Sequence, residues 1–301
     1  MGKNNVKLLV LINFVDRHHC SPKLIGKITR MLEKQGHDFR LVKFTSRDHS
    51  VQAIEKAKAQ GFDTLIMGGG DGTVHNLFNL SFEKDFTFGI IPLGTVNALA
   101  RSLGLSKNPE KALYSVIKGR IRNVDVGKVA GRLFTCFASI GFDASVVHTI
   151  NPRAKVLMER VAFAYQGIKR LFSLKELAQF RAEPLPLGKT LSGYSLILSN
   201  IPNYAGFHFF SQKPDDGSME MLLFKRNTIL DYLASVAKMG IQGSKSGAGK
   251  DKRLFRTKAT TLTVKCPQEL FLQLDGEAVR HIPGEDLKFE IMPGAARFLS
   301  P

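Results

Sequence analysis

The chain has 301 residues, of which 44% are hydrophobic, so it is long enough for two globular domains and its composition excludes a disordered protein. A formal net charge of +17 predicts a polyanionic partner, which could be nucleic acid, an anionic membrane or a phosphorylated ligand. The chain has no tryptophan, and its aromatic residues are not interleaved with the basic ones. That pattern argues against single-stranded nucleic acid, so we expect no nucleic-acid partner.

The cysteines and the apolar segments bear on the compartment. Three scattered cysteines without a C-x-x-C pair favour neither a disulfide framework nor a zinc site, and they fit a reducing cytoplasm. No apolar stretch approaches the roughly 18 residues that a membrane-spanning helix needs. We therefore expect a cytoplasmic protein that meets membranes only peripherally.

Strand and helix patterns alternate through about residue 122. Apolar runs typical of buried strands lie at 6–13, 39–44, 65–67 and 86–91, and each is followed by a segment with helical spacing. Ser21 and Pro22 form an N-cap and a first-turn proline for the first helix. This alternation predicts a parallel sheet with helices on its faces, and such sheets bind ligands at the carboxyl ends of their strands.

A glycine-rich loop follows the third strand, in the segment DTLIMGGGDGTVHNLFNL at 63–80. Its glycines let backbone amides approach a ligand, and the next helix directs the positive end of its dipole to the same point, which favours a phosphate group. Asp71 indicates a divalent metal or a proton acceptor beside that anion. Taken alone, the loop could also be a plain glycine-rich turn. A second loop, in PLGTVNALAR at 92–101, follows the fourth strand.

After Asn123 the segments become short, β-rich and bounded by turns, which is typical of a β-sandwich. The main helical exception is predicted at 154–180, where basic residues surround an apolar stripe that could lie on lipid headgroups or pack on its own domain. The segment 243–258 holds six basic residues against one acidic residue. It is predicted to be a basic loop, which either attracts anionic lipid or phosphate or is an ordinary solvated surface loop.

Two acidic turns in this half have alternative interpretations. Asp215-Asp216-Gly217 could hold Mg²⁺ or Ca²⁺, but the same residues are common in ordinary turns. Asp275-Gly276-Glu277 lies between apolar runs, where Asp-Gly is the usual signal for a tight β-hairpin.

Together these motifs resemble a known family. The stretches GGGDGTVHN, PLGTVNALAR, VDVGKVAGRLFTCFASIGFDA, PDDGSMEMLLF and LDGEAV, in this order, are similar to the diacylglycerol kinase catalytic family, which includes bacterial lipid kinases and sphingosine and ceramide kinases. The resemblance implies a Rossmann-like α/β nucleotide domain, similar to NAD kinases and phosphofructokinases, followed by a β-sandwich domain. It places the first domain at 1–123 with a returning segment at 287–301, the lipid-substrate domain at 124–286, and ATP and lipid in the cleft between them.

The resemblance also assigns roles to individual residues. The residues that it implies for ATP binding are Thr45, Gly69, Gly70, Asp71, Gly72, Thr73, Thr95 and Asn97. Asp71 would help to organise Mg²⁺ around the phosphates, and Asp215, Asp216 and the Met219 carbonyl would form a structural Mg²⁺ site. Asp275 matches the proposed general base and Glu277 its acidic partner.

The resulting prediction is an ATP- and Mg²⁺-dependent lipid kinase that transfers the γ-phosphoryl group to a diacylglycerol-like or sphingoid hydroxyl at an anionic membrane surface. A homodimer is compatible with such a fold. One alternative is a small-molecule kinase similar to NAD kinase. The other is a non-catalytic nucleotide- or membrane-binding module, because Asn13-Phe14-Val15-Asp16 replaces the family's Asn-Pro-x-Ser-Gly loop.

Overall fold

The computed structural model describes residues 6–14, 20–149, 173–204, 207–242 and 251–301. These residues form two compact units. Unit 1 comprises the described residues up to Val124 together with Ala295–Pro301, and unit 2 comprises those from Asp125 to Gly294. Within the described ranges, no helix combines the length and the apolar character needed to cross a bilayer.

Unit 1 is an alternation of strands and helices. Its elements up to residue 118 are β1 (Lys7–Asn13), α1 (Pro22–Lys34), β2 (Asp38–Phe44), α2 (Arg47–Ala59), β3 (Thr64–Gly69), α3 (Asp71–Ser81), β4 (Thr87–Pro92), α4 (Ala98–Ser102) and α5 (Pro109–Lys118). The four strands are parallel in the order β2-β1-β3-β4. The other edge of β4 pairs in parallel with Arg297 and Phe298. The predicted α/β architecture is therefore confirmed.

Local sequence explains these elements. The central residues of β1 and all six residues of β3 are buried, as expected for parallel strands covered on both faces. The α1 helix begins as predicted, because the Ser21 Oγ accepts a hydrogen bond from the Leu24 N–H at 3.2 Å. Phe78 of α3 packs at 5.0 Å from the ring of Phe88 and at 5.8 Å from that of Phe298, which fixes α3 and the loop before it.

Unit 2 is mostly β. The elements from residue 120 onward are β5 (Arg120–Val129), β6 (Arg132–Phe134), β7 (Phe137–Ile140), α6 (Phe142–Thr149), β8 (Phe180–Leu185), β9 (Leu191–Gly193), β10 (Ser195–Ser199), β11 (Asn203–Tyr204), β12 (Phe207–His208), β13 (Met219–Phe224), α7 (Ile229–Gln242), β14 (Leu254–Ala259), β15 (Thr261–Lys265), β16 (Leu272–Leu274), β17 (Glu277–Val279) and β18 (Leu287–Ser300). Residues 287–294 of β18 belong to unit 2 and the rest of the strand to unit 1.

Two antiparallel sets of strands enclose the core of unit 2. One is the sheet β14-β13-β10-β7-β16-β17, and the other has the order β18-β15-β8-β9. Side chains from both sets form one buried cluster that includes Met221, Phe180, Leu262 and Phe289. This arrangement agrees with the predicted β-rich second domain.

Two predicted segments lie largely outside the described residues. These are the helix at 154–180, of which only 173–180 is described, and the basic loop at 243–258, of which only 251–258 is described. The described end of the first is not α-helical as predicted: Leu174–Glu176 is a 3₁₀ turn and Phe180 begins β8.

Candidate functional site

The predicted nucleotide residues of unit 1 follow the carboxyl ends of parallel strands. β2, β3 and β4 end at Phe44, Gly69 and Pro92, so Thr45, the glycine loop and Thr95 lie along one edge of the sheet. Thr45 and Thr95 are both exposed there. This edge is where open parallel sheets bind their ligands.

The glycine loop passes directly into α3. Gly70 is the N-cap, has extended backbone and offers no capping side chain to the first-turn N–H groups of the helix. A Cβ added at Gly69 would lie 2.4 Å from the Thr73 side chain, so the loop closes tightly on that turn. Amides at a helix N-terminus, together with the positive end of its dipole, form a site suited to phosphate.

The two predicted loops touch through their backbones. A Cβ added at Gly94 would lie 2.6 Å from the Gly70 Cα, and one added at Gly70 would lie 3.3 Å from the Gly94 Cα. Neither position tolerates a larger residue without moving the other loop. The glycines therefore have a packing role in addition to leaving backbone amides accessible.

Asp71 joins the same two loops by a hydrogen bond. Its Oδ1 accepts from the Ala98 N–H at 2.6 Å, at the start of α4. Asn97, the N-cap residue of α4, has a φ of 51° and bonds within its own loop: its Nδ2 donates to the Gly94 carbonyl at 2.6 Å and its Oδ1 accepts from the Gly94 N–H at 3.0 Å. The Asn97 side chain thus shapes the second loop.

Asn13, at the end of β1, contacts the glycine loop. Its Nδ2 donates a hydrogen bond to the Thr73 Oγ1 at 2.9 Å. The sequence does not predict this contact, because the two residues are 60 positions apart and neither segment indicates the other as its partner. Of that departing loop, Val15 and Asp16 lie outside the described residues.

In unit 2, Asp275 and Gly276 form the turn between β16 and β17. Their φ angles are 50° and 87°, and Leu274 lies opposite Glu277 in the ladder. Positive φ at both central residues is the geometry of the two-residue hairpin that Asp-Gly signals. The hairpin interpretation is confirmed, and the carboxylates of Asp275 and Glu277 lie at one end of this hairpin.

The Asp275 carboxylate is enclosed by donors from the segment between β6 and β7. Its Oδ1 accepts from the Cys136 and Phe137 N–H groups at 2.9 Å each. Its Oδ2 accepts from the Thr135 N–H at 2.9 Å and from the Thr135 hydroxyl at 3.2 Å. A carboxylate has about four lone-pair positions, and these donors match all of them. Asp275 is 7% exposed and its carboxylate is hydrogen-bonded to the segment 135–137, whereas Glu277 is only half-buried.

Gln273 holds the same turn from the other side, and sequence reasoning missed it. This fully buried side chain accepts from the Gly276 N–H at 2.7 Å, and its Nε2 donates to the Ser139 Oγ at 2.8 Å and to the Asp143 carboxylate at 3.1 Å. The Ser139 hydroxyl also donates to Asp143, at 2.5 Å. The sequence signal for this network is Asp143 in the GFDA stretch at 141–144, one of the stretches that carry the family resemblance.

Two tyrosines lie near Asp143. Burial, and then the Asp143 carboxylate, raise the pKa of the Tyr204 and Tyr232 phenols well above the usual range, so both remain protonated. The hydrogen-bond partners of this carboxylate are the side chains of Ser139 and Gln273.

The predicted structural metal residues lie at the turn before β13. Asp216 accepts hydrogen bonds from the Gln212 Nε2, from the Ser218 hydroxyl at 3.1 Å and from the Lys258 ammonium at 3.0 Å. Asp215 is exposed and Met219 is the buried first residue of β13. Among the described residues, no group of three or more His, Cys, Asp or Glu side chains is arranged to hold a metal ion.

Asp125, which no sequence motif predicts as a site residue, anchors this turn. Its Oδ2 accepts from the Gly217 N–H at 2.6 Å and its Oδ1 from the Gly294 N–H at 2.8 Å. With 2% exposure, the carboxylate is buried between two glycine backbones. It fixes the position of the Asp215-Asp216-Gly217 turn within unit 2.

Comparison with known proteins gives matches over both units. Residues 7–129 match the family model of the diacylglycerol kinase catalytic domain. A diacylglycerol kinase from Bacillus subtilis (strain 168) is 28% identical over 284 residues, which cover 92% of this chain and 91% of that protein. A protein named "Probable lipid kinase YegS-like" from Pseudomonas aeruginosa (strain UCBPP-PA14) is 29% identical over 252 residues, covering 82% of this chain and 80% of that one.

A solved structure agrees in fold. The crystal structure of a diacylglycerol kinase from Bacillus anthracis str. Sterne matches with a TM-score of 0.69 at 20% identity, over 100% of this chain and 98% of that chain. The family match includes both glycine loops, and ATP is the phosphate donor that a kinase family implies. The predicted resemblance to the diacylglycerol kinase catalytic domain is therefore confirmed over residues 7–129, and these matches indicate a kinase.

Proposed function

We propose that this kinase transfers the γ-phosphoryl group of ATP to the hydroxyl group of a lipid, either diacylglycerol-like or sphingoid, at an anionic membrane surface. The observation that carries the proposal is the junction of the two loops of unit 1, where Gly70 and Gly94 meet and Asp71 bonds the Ala98 N–H. A lipid acceptor is supported by the relatives, which are named as a diacylglycerol kinase and as a lipid kinase.

Unit 1 supplies the residues for the nucleotide. The first-turn N–H groups of α3, from Asp71 to Thr73, would hold phosphate oxygens, and the exposed Thr45 and Thr95 would contact the nucleotide along the same sheet edge. The Asn13 amide would keep the Thr73 side chain in place. Binding in this way aligns the transferred group without requiring the protein to form a covalent bond to it.

We propose two places for Mg²⁺, which prefers oxygen ligands. The Asp71 carboxylate lies at the start of α3, beside the amides proposed for the phosphates. At the turn before β13, the Nε2 of Gln212 donates to the Asp216 carboxylate, and the Oε1 of the same side chain is buried without a hydrogen-bond partner. Asp216, Gln212, Asp215 and the Met219 carbonyl would hold a structural ion there. When bound at the phosphates, Mg²⁺ neutralises charge on their oxygens.

Unit 2 supplies the group that accepts the proton of the lipid hydroxyl. A hydroxyl is a weak nucleophile at neutral pH, so a positioned carboxylate must take its proton as the phosphoryl group is transferred. We assign this step to Glu277, because the lone pairs of Asp275 are already engaged by the backbone of 135–137. Asp275 and Gln273 would then hold the turn that carries Glu277.

The proposal is tested by supplying labelled ATP and Mg²⁺ with diacylglycerol, sphingosine, ceramide, phosphatidylglycerol or NAD and following which compound gains phosphate. We expect a phosphorylated lipid and no phosphorylated NAD. Phosphorylation of NAD without any lipid product would reject the lipid assignment, and no product with any acceptor would favour a non-catalytic module.

Variants test the assigned proton acceptor in the same assay. Glu277→Gln should lower turnover by at least about a hundredfold, the usual range for a lost general base, with little change in ATP binding. Glu285→Gln is the matched control, because Glu285 is an exposed carboxylate of the same unit. Wild-type turnover in Glu277→Gln would remove Glu277 from the proton-transfer step.

A further inference from the structure

The α7 helix is apolar on two opposite sides. Its inner side packs on the six-stranded sheet of unit 2: Tyr232 stacks on Phe224 with ring centroids 5.0 Å apart, and Met239, 3% exposed, joins the cluster that contains Leu222 and Phe224. These contacts fix the rotation of the helix about its axis. They also satisfy the need of an amphipathic helix to bury one side.

The outer side of α7 also carries large apolar side chains. Leu230 is 81% exposed, Leu233 47% and Ile241 86%. At 3.6 residues per turn these three positions fall within an arc of about 80°, so they form one stripe. A surface helix normally presents polar residues on its outer side, and a helix that is apolar on both sides is usually covered on both.

Basic residues lie beside this stripe. Arg226, Lys252 and Arg253, with Asp231 and Asp251, line an open depression of about 700 Å³ next to α7. Lys238 of α7 contacts Asp251 at 2.5 Å. Counting these six side chains gives four positive and two negative charges, an excess of two positive charges in a chain whose net charge is +17.

We infer that the outer stripe of α7, formed by Leu230, Leu233 and Ile241, inserts into the headgroup region of an anionic lipid bilayer, with Arg226 and Lys252 at the phosphates. An apolar stripe flanked by cations is the pattern of helices that lie in a membrane interface. A second copy of this chain is a less favourable occupant, because it would bring the same excess of positive charge to the contact. The inference extends the proposed function by naming the surface that meets the membrane.

The experiment is cosedimentation of the full chain with sucrose-loaded vesicles, in the absence of ATP and of any acceptor lipid. We expect binding to phosphatidylcholine vesicles containing about 30% phosphatidylglycerol, and weak binding to phosphatidylcholine alone. The double variant Leu230→Ser/Ile241→Ser should bind the anionic vesicles about tenfold more weakly for each side chain removed. Arg226→Gln/Lys252→Gln should weaken anionic binding and reduce its dependence on salt.

The matched control is Ile282→Ser, which removes a 54% exposed apolar side chain of unit 2 outside the stripe and should leave binding unchanged. Thermal unfolding and phosphorylation of a detergent-dispersed acceptor should be unchanged in all variants, because the altered side chains are exposed. If the serine variants unfold, the charge variants still decide the question.

Wild-type vesicle binding by both the stripe and the charge variants would overturn the inference. So would a wild-type dimer in sedimentation velocity that the serine variants dissociate without affecting vesicle binding, since a second copy would then cover the stripe. Because the assay contains no nucleotide, its failure leaves the kinase proposal standing. Failure of the phosphorylation assay would equally leave the vesicle result unchanged.

Discussion

Replacing Asp275 by asparagine separates a structural role of this carboxylate from a catalytic one. In the parent chain, Oδ1 accepts from the Cys136 and Phe137 N–H groups and Oδ2 from the Thr135 N–H and hydroxyl. The best fit for asparagine keeps its carbonyl oxygen at the first position and places its NH₂ at the second. There the Thr135 hydroxyl can rotate to accept, but the Thr135 N–H faces another donor and loses its partner.

The expected cost follows from that arrangement. Hydrogen bonds to a charged group contribute about 1.5–3 kcal/mol each, and a buried N–H without a partner costs about 1–3 kcal/mol. One lost bond and two weakened ones in Asp275→Asn should therefore reduce the free energy of unfolding by about 3 kcal/mol. Urea unfolding followed by circular dichroism measures this quantity. Asp286→Asn, at an exposed position of the same unit, is the control and should change it by less than about 0.5 kcal/mol.

An unfolding free energy within about 0.5 kcal/mol of the parent value in Asp275→Asn, together with lost turnover, would refute this reasoning. It would mean that the carboxylate contributes little to the fold and acts on the substrate. A destabilised variant that keeps measurable turnover would instead support Glu277 as the proton acceptor.

Three further outcomes are expected. Gly94→Ala should raise the KM for ATP at least about tenfold, because the new Cβ would lie 2.6 Å from the Gly70 Cα and push the loops apart. Gln273→Met should lower kcat about tenfold with little change in the KM for ATP, because it frees the turn that carries Glu277. Burial raises the pKa of Asp251, but hydrogen bonds from Lys238 and backbone N–H groups outweigh it and lower the pKa below its usual value. The ionised Asp251 carboxylate should therefore stabilise the fold above about pH 4, and this stabilisation should be lost as the pH falls further. Thermal unfolding between about pH 3 and 6 measures the loss, which should be absent in Asp251→Asn.

Each of these outcomes has a control. Gly26→Ala introduces the same methyl group in α1, where no atom beyond the adjacent residues and the backbone of the helix itself lies within 4 Å of the new Cβ, and it should leave the KM for ATP unchanged. Ser192→Ala, at an exposed position of β9, should leave kcat at the parent value. For the pH series, Asp48→Asn changes an exposed carboxylate in α2 and should preserve the parent profile. A parent-like KM for ATP in Gly94→Ala would contradict the packing role of Gly94. A parent-like kcat in Gln273→Met would contradict the role of Gln273 in holding the turn, and a parent-like pH profile in Asp251→Asn would contradict the stabilising role of the Asp251 carboxylate.

Local signals in the sequence were sufficient for much of the fold. The Ser21-Pro22 cap, the buried runs of β1 and β3 and the Asp275-Gly276 hairpin all depend on residues within a few positions of one another, and all are present in the structure. The family resemblance then gave the order of the two domain types. The α6 and α7 helices were not predicted, because their short apolar segments lie between strand-like runs that dominate the pattern.

The site was less predictable, because its contacts join residues that are far apart in sequence. The Asp275 carboxylate meets the N–H of Thr135 across 140 positions, and Gln273 meets Asp143 across 130. Nothing in either segment by itself indicates the partner. For Asn97, the resemblance implies a contact with the nucleotide. In the structure, its side-chain hydrogen bonds go to the backbone of Gly94.

The division of β18 between the two units has a consequence for biosynthesis. The edge of β4 in unit 1 pairs with Arg297 and Phe298, and Arg297 also bonds Asp85, 212 positions earlier. A ribosome needs about 10–40 s to translate that distance. During that time the nascent sheet has an unpaired edge strand, the kind of surface that promotes aggregation. Unit 1 therefore cannot complete its fold when residues up to Val124 have been translated, because it also needs Ala295–Pro301. We expect it to require shielding by chaperones until the final strand is made.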